Sequence, residues 1–163
     1  MPVVYLGIGS NVGRRENNCL RAISLLEENG LTVTKRSAMH ETEPWGVKDQ
    51  PQFVNMAVEA ETDISPRELL LLLKRIESDM GRRPGKKWGP RVIDIDILMY
   101  DNLVVNEDDL SVPHPLLHER VFMLEPLSEI SPEKVHPVLG KTVRELLSQK
   151  SSGRQPGETP GEE

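Results

Sequence analysis

An α+β sandwich, with a mostly antiparallel sheet and helices packed on it, is what this 163-residue sequence predicts. Three observations point there. Strand-like and helix-like stretches mix without a strict βαβα rhythm, which argues against a doubly wound parallel sheet. Residues 31–61 read as two consecutive strands, and consecutive strands pair antiparallel most readily. Helical stretches follow that carry their own start and stop signals.

Pro2 to Gly9 is a short apolar strand. Arg14 to Asn29 then places Leu20, Ile23, Leu25 and Leu26 at helical spacing, and Gly30 closes it. Thr32 to His40 alternates weakly. Phe53 to Glu61 alternates clearly, with Val54, Met56, Val58 and Ala60 on one face, so Phe53 and Asn55 share the other. Ser65-Pro66-Arg67-Glu68 is a capping box with proline at the first helical position. Leu69, Leu73, Ile76 and Met80 form the stripe of that helix, which Gly81 stops. Val92 to Met99 is a strand of β-formers. Glu119 to Glu129 and Thr142 to Gln149 read as helices, the second opened by the pair Thr142 and Glu145. In this order the elements predict a ferredoxin-like α/β sandwich.

At this length the chain fits one domain, residues 1–149. Lys150 to Glu163 is rich in Ser, Gly, Pro and Glu without a large apolar residue, and cannot offset its ordering entropy by burial, so a disordered tail is expected. A net charge of −6, with the basic residues concentrated in one loop, argues against nucleic acid as a partner. Cys19 is the only cysteine, which leaves no disulfide framework and no cysteine-based zinc site; it falls in a helical pattern as a small core residue. The longest leucine run, Leu69 to Leu73, is far too short to span a membrane, and the start carries no basic leader, so a cytoplasmic protein with a small-molecule partner is expected.

Trp88-Gly89-Pro90-Arg91-Val92-Ile93-Asp94-Ile95-Asp96-Ile97 carries the chemistry. Two apart on a strand, Asp94 and Asp96 share a face with backbones roughly 6.5 Å apart, close enough for both carboxylates to lean onto one or two cations. Oxygen-only ligands favour a hard ion such as Mg²⁺, which fills its remaining positions with water and substrate phosphates. The plain alternative is a solvated strand face paired with lysines. What tips the balance is the segment Gly81 to Arg91, which puts Arg82, Arg83, Lys86, Lys87 and Arg91 among glycines and prolines directly before the acidic strand. Opposite charges can then hold opposite sides of a metal-chelated polyphosphate. Two familiar phosphate devices fail. In Gly7-Ile8-Gly9-Ser10-Asn11-Val12-Gly13 the third glycine comes one place too late for a dinucleotide fingerprint, and Gly140-Lys141-Thr142 has Val135 where a P-loop needs glycine.

Five segments in register, Gly9-Ser10-Asn11, Thr42-Glu43-Pro44-Trp45-Gly46, Gln50-Pro51-Gln52-Phe53-Val54-Asn55, Trp88 to Arg91 with Asp94-Ile95-Asp96, and Val112-Pro113-His114-Pro115, resemble 6-hydroxymethyl-7,8-dihydropterin pyrophosphokinase over about residues 1–148. The resemblance implies a monomeric ferredoxin-like enzyme of folate biosynthesis, with ATP and 6-hydroxymethyl-7,8-dihydropterin as its partners. Pyrophosphate passes to the pterin hydroxymethyl group and AMP is released. The resemblance also implies two Mg²⁺ ions held by Asp94 and Asp96. Arg82 and Arg91 match loop arginines that engage phosphates, and Asp96 is a candidate acceptor for the hydroxymethyl proton. Phe53 and Phe122 match a stacking pair for the pterin and Asn55 reads its edge, while Thr42, Trp45 and Gly46 match a second loop that closes over it. Trp45 and Phe53 replace smaller or hydroxylated residues seen elsewhere in the family. Glu77, Trp88, Arg91, Ile97, Ser111, His114 and Arg120 match positions that contact ATP. A zinc reading of His118 beside His114 lacks further soft ligands and is set aside. Rival readings are a metal-dependent glycosyl- or nucleotidyltransferase, which would need a sugar site, and a ligand-binding regulatory module, which has no use for paired carboxylates and a cationic loop.

Overall fold

A computed structural model describes residues 1–42, 52–81 and 92–152. Strand β1 (Val3–Ser10) leads to α1 (Arg15–Glu28), then β2 (Thr32–Arg36), β3 (His40–Thr42) and β4 (Phe53–Glu61). Helix α2 (Pro66–Asp79) and β5 (Asp94–Tyr100) follow, then the hairpin β6 (Val105–Glu107) and β7 (Leu110–Val112), a 3₁₀ turn (Leu117–Glu119), α3 (Val121–Ile130) and α4 (Val143–Ser152).

The main sheet has the order β2-β4-β1-β5, with every pair antiparallel and β3 taking up the remaining length of β4. Strands β1 and β2 therefore run parallel with β4 between them, and β4 and β5 run parallel with β1 between them. These two split β-α-β units make the ferredoxin-like arrangement that the element order predicts.

Alternation along the strands divides the apolar residues between two layers. Val4, Leu6 and Ile8 of β1, Val54, Met56, Val58 and Ala60 of β4, and Ile93, Ile95 and Ile97 meet α1 and α2. Tyr5, Ala57, Leu98 and Met99 on the other side meet α3 and α4. The capping box of α2 forms as the sequence predicts. Ser65 Oγ accepts the Glu68 N–H at 3.2 Å, and the Ser65 N–H donates to Glu68 Oε1 at 3.3 Å. Burying Leu69 or Leu73 contributes roughly 2 kcal/mol each by removing apolar surface from water. Gly81, at φ +100°, ends the turn after α2 in a conformation that side chains disfavour.

Several elements differ from expectation. The weakly alternating stretch from Thr32 is two strands, because the Ser37 hydroxyl accepts the Ala57 N–H at 2.9 Å and takes the place of a ladder bond between them. In α1 it is Cys19, Ala22, Ile23 and Leu26 that are buried, while Leu20 is 43% exposed. Hairpin β6–β7 was not foreseen. Arg67 ties it to the start of α2 by pairing with Glu107 and with Asp109 Oδ1 at 2.7 Å. The third helix starts at Val121, after the 3₁₀ turn, and α4 runs to Ser152, past the point where composition places the start of the tail. Among the described residues no helix is long and apolar enough to cross a membrane.

Cys19 is fully buried against Ala22, Ile23 and the sheet, and burial, with help from Glu16, pushes its thiol up to about 12. The thiolate is the reactive species, so native protein is expected to resist iodoacetamide at pH 8 and to be alkylated at this single site once unfolded in urea. Mass spectrometry before and after denaturation reads the difference.

Candidate active site

The site lies at one end of the sheet, on the face turned away from α1 and α2. Because Ile95 and Ile97 point into the α1–α2 layer, Asp94 and Asp96 point the opposite way, and both are half-buried. Register then sets their neighbours. Gly9 of β1 pairs with Asp94 on one side and Asn55 on the other, and Gly7 lies between Asp96 and Ala57. Phe53 is two residues from Asn55 and shares its face, with Thr42 of β3 paired beside it. The glycines form a floor without side chains between the acidic pair and the amide. A Cβ on Gly9 would come within 2.7 Å of Asn55 Oδ1 and 3.6 Å of the Phe53 ring, so glycine is required for the amide to lie where it does. Leu98, fully buried and 3.4 Å from the place of a Gly7 Cβ, closes the face on the inner side of Asp96.

Arg120, on the turn before α3, supplies positive charge. Burial lowers its pKa, and Asp96 and then Asp94 act against that shift, so the guanidinium lies within electrostatic reach of both carboxylates. It also stands 5.6 Å above the Phe122 ring, which links the aromatic wall to the acidic pair. His114 follows a cis Val112–Pro113 bond, and its Nδ1 accepts the Leu116 N–H at 3.1 Å. That bond leaves Nε2 to carry the proton of the neutral ring. Burial, aided by Arg120, lowers its pKa to about 4. His114 is therefore a neutral donor near neutrality, and Arg120 is the charge.

Two predicted ATP contacts have other packing. Ile97 is buried in the α1–α2 layer, and Glu77, 7% exposed on α2, accepts the Ile95 N–H at 2.7 Å. Both stand at the outer edge of β5, the last strand of the sheet. Ser111 is half-buried on β7, which packs beside β5 at the same edge. Arg82, Trp88 and Arg91, with Trp45 and Gly46, lie outside the described residues. The structure thus brings together Asp94, Asp96, Asn55, Phe53, Phe122, Arg120 and His114.

Sequence reasoning missed the part played by Gly7. The signal was present, since glycines at two-residue spacing inside an apolar strand leave one face bare. It also missed Arg15, which donates to the Gln52 carbonyl at 2.8 Å and to Glu41 Oε1 at 2.9 Å and so joins the two strands that flank residues 43–51.

Residues 5–132 match the family 7,8-dihydro-6-hydroxymethylpterin-pyrophosphokinase (HPPK). The chain belongs to this family. An HPPK from Aquifex aeolicus, named 2-amino-4-hydroxy-6-hydroxymethyldihydropteridine pyrophosphokinase, is 46% identical over 146 residues, covering 90% of this chain and 91% of that protein. A Bacillus subtilis protein of the same name is 46% identical over 129 residues, covering 78% and 77%. The crystal structure of Plasmodium falciparum HPPK-DHPS wild type superposes with a TM-score of 0.74 at 19% identity, over 93% of this chain and 45% of that one. At that identity the likeness bears on the fold, and it agrees with the sandwich described above. The present chain spans under half of the solved chain.

His114 makes folding sensitive to acid. Between pH 6.5 and about 4 the unfolded chain binds a proton that the folded ring resists, so stability is complete above pH 6.5 and falls as pH drops through this window. Burial shifts His136 in the same direction. Between pH 7 and pH 5 the His114 contribution should reach at most about 2 kcal/mol. Urea unfolding at the two pH values should show that loss, and His114→Gln should reduce it.

Proposed function

We propose that this chain transfers the β,γ-pyrophosphoryl group of ATP to the hydroxymethyl oxygen of 6-hydroxymethyl-7,8-dihydropterin, releasing AMP. The observation that carries the reading is the row Asn55, Gly9, Asp94 across three adjacent strands, in a chain that belongs to the HPPK family. It sets a reader of heterocycle edges and a pair of hard anionic ligands on one face, with open floor between them.

Phe53 and Phe122 stack on the pterin, and Asn55 offers both an acceptor and donors to its pyrimidine edge. Thr42, Trp45 and Gly46 are the further pterin contacts that the resemblance implies. At the outer edge of β5, the Ile95 N–H points out of the sheet to Glu77, and by strand alternation the Ile97 main chain faces outward too. That edge suits the adenine, with Glu77 and Ser111 beside it; Trp88 is a further ATP contact that the resemblance implies. His114 donates from Nε2 to a phosphate oxygen without bringing charge, and Arg120, Arg82 and Arg91 bring the charge. Forked guanidinium donors can follow negative charge as it moves from the β-phosphorus to the leaving α-phosphate, a stabilisation made mainly in the transition state.

The donor set fits a hard divalent cation. Asp94 and Asp96 would supply two carboxylates and leave the other positions to water and phosphate, the pattern of Mg²⁺. Two such ions held by Asp94 and Asp96 would supply neutralisation of triphosphate charge and a lower pKa for the pterin hydroxyl. The hydroxymethyl oxygen then bonds to the β-phosphorus as the bond from that phosphorus to the α-phosphate oxygen breaks, and Asp96 takes the proton. The described residues through the end of α4 at Ser152 belong to the catalytic domain of a cytoplasmic monomer.

Incubation with Mg²⁺, ATP and the hydroxymethyl-dihydropterin should give AMP in equal amount to the pterin diphosphate; ADP, or AMP formed without pterin, would overturn the reading. Asp94→Ala should cut turnover at least about 10²-fold while unfolding free energy in metal-free buffer stays within about 1 kcal/mol, because one of two repelling charges is removed. Calorimetry alongside the assay separates these two effects.

A further inference from the structure

We propose that His40, with Glu129 and Glu125 of α3, is a positioning device that sets the spacing of the two walls of the pterin slot. This rests on the reading of Phe53, Asn55 and Phe122 given above.

His40 is the cross-strand partner of Asn55, and their Cβ atoms are therefore about 5 Å apart on the face that α3 covers. Its Nε2 donates to Glu129 Oε2 at 2.5 Å, and its Nδ1 lies 3.5 Å from Glu125 Oε1. The second oxygen of Glu129 accepts the Ala38 N–H at 2.9 Å. One carboxylate thus grips the approach to β3 through both main chain and side chain. Phe122, Glu125 and Glu129 are spaced by three and four residues and lie along one stripe of α3. Phe122 is at the slot end of that stripe and the two carboxylates are one and two turns further on. At the far end of the helix Lys35 Nζ donates to the Ile130 carbonyl at 3.3 Å, a second tie to the same sheet.

Phe53 and Asn55 are fixed to β4, and Phe122 is fixed to α3. The gap between them is set by how the helix sits on the strands. Apolar packing beneath α3 is non-directional and tolerates small shifts, whereas a short charge-assisted bond has a fixed length and direction. The His40 clamp supplies that direction next to Asn55. Removing it leaves the core intact and lets the slot vary by a fraction of an ångström, which weakens stacking on a flat ring far more than binding of ATP at the β5 edge.

Isothermal titration of the pterin and of Mg²⁺–ATP, measured separately on the full chain, tests this. His40→Phe should weaken pterin binding about fivefold or more while ATP binding changes less than about twofold. Glu129→Ala removes the same bond from the helix side, should show the same split, and carries the test should His40→Phe fail to fold. The double variant should lose little more than either single one. His40→Gln, which keeps an N–H donor towards Glu129, should recover most of the affinity. Equal weakening of both ligands, unchanged pterin affinity, or additive losses would overturn the proposal. If wild-type protein binds no pterin and forms no AMP, the pyrophosphokinase reading itself falls, which is a distinguishable result.

Discussion

The isoleucines of β5 decide where the charges go. Ile95 and Ile97, with Ile93 just before the strand, are buried between the sheet and helices α1 and α2, and the two-residue period of a strand then forces Asp94 and Asp96 to the opposite face. A slip of one residue would drive both carboxylates into an apolar layer, at a cost of several kcal/mol for each unpaired charge. Glu77 adds a second constraint. By accepting the Ile95 N–H from within α2, it holds a strand that stands, among the described residues, at the edge of the sheet. The carboxylate pair is thus anchored from behind, by packing and by one buried bond.

What stands around the pair follows from the same sheet. Glycines on β1 keep the floor low, β4 brings an amide and an aromatic ring to one side, and the segment before α3 brings Arg120 to the other. The electrostatic division of labour is set by burial. Arg120 keeps its charge because arginine is hard to deprotonate and the aspartates oppose the effect of burial, whereas the His114 imidazole is driven neutral by it. A charged donor and a neutral donor therefore sit in neighbouring positions, suited to a polyanion that needs both neutralisation and orientation.

Local signals were readable and long-range ones were not. The α2 capping box involves residues three apart, so Ser65 and Glu68 announce it in sequence. The break between β2 and β3 depends on the Ser37 hydroxyl reaching Ala57, a partner far along the chain, and nothing near Ser37 signals it. Hairpin β6–β7 went unseen because Val-Asn-Glu and Leu-Ser-Val are too short and polar to show a period, and Arg67 of α2 secures it from a distance. In α1 the small residues Cys19 and Ala22 face the sheet and Leu20 does not, since close helix-to-sheet approach selects by size as much as by hydrophobicity.

By itself the sequence determined that Asp94 and Asp96 share a face, that Phe53 and Asn55 share another, and that five segments in register resemble the HPPK family, to which the chain belongs. Those facts rest on periodicity and on motif order, both of which are written along the chain. Only the tertiary structure decided that the two faces are one, across Gly9, and that His40 and Glu129 stand beside them. Strand register and helix placement are set by burial and pairing between residues far apart in sequence, and no local preference encodes them.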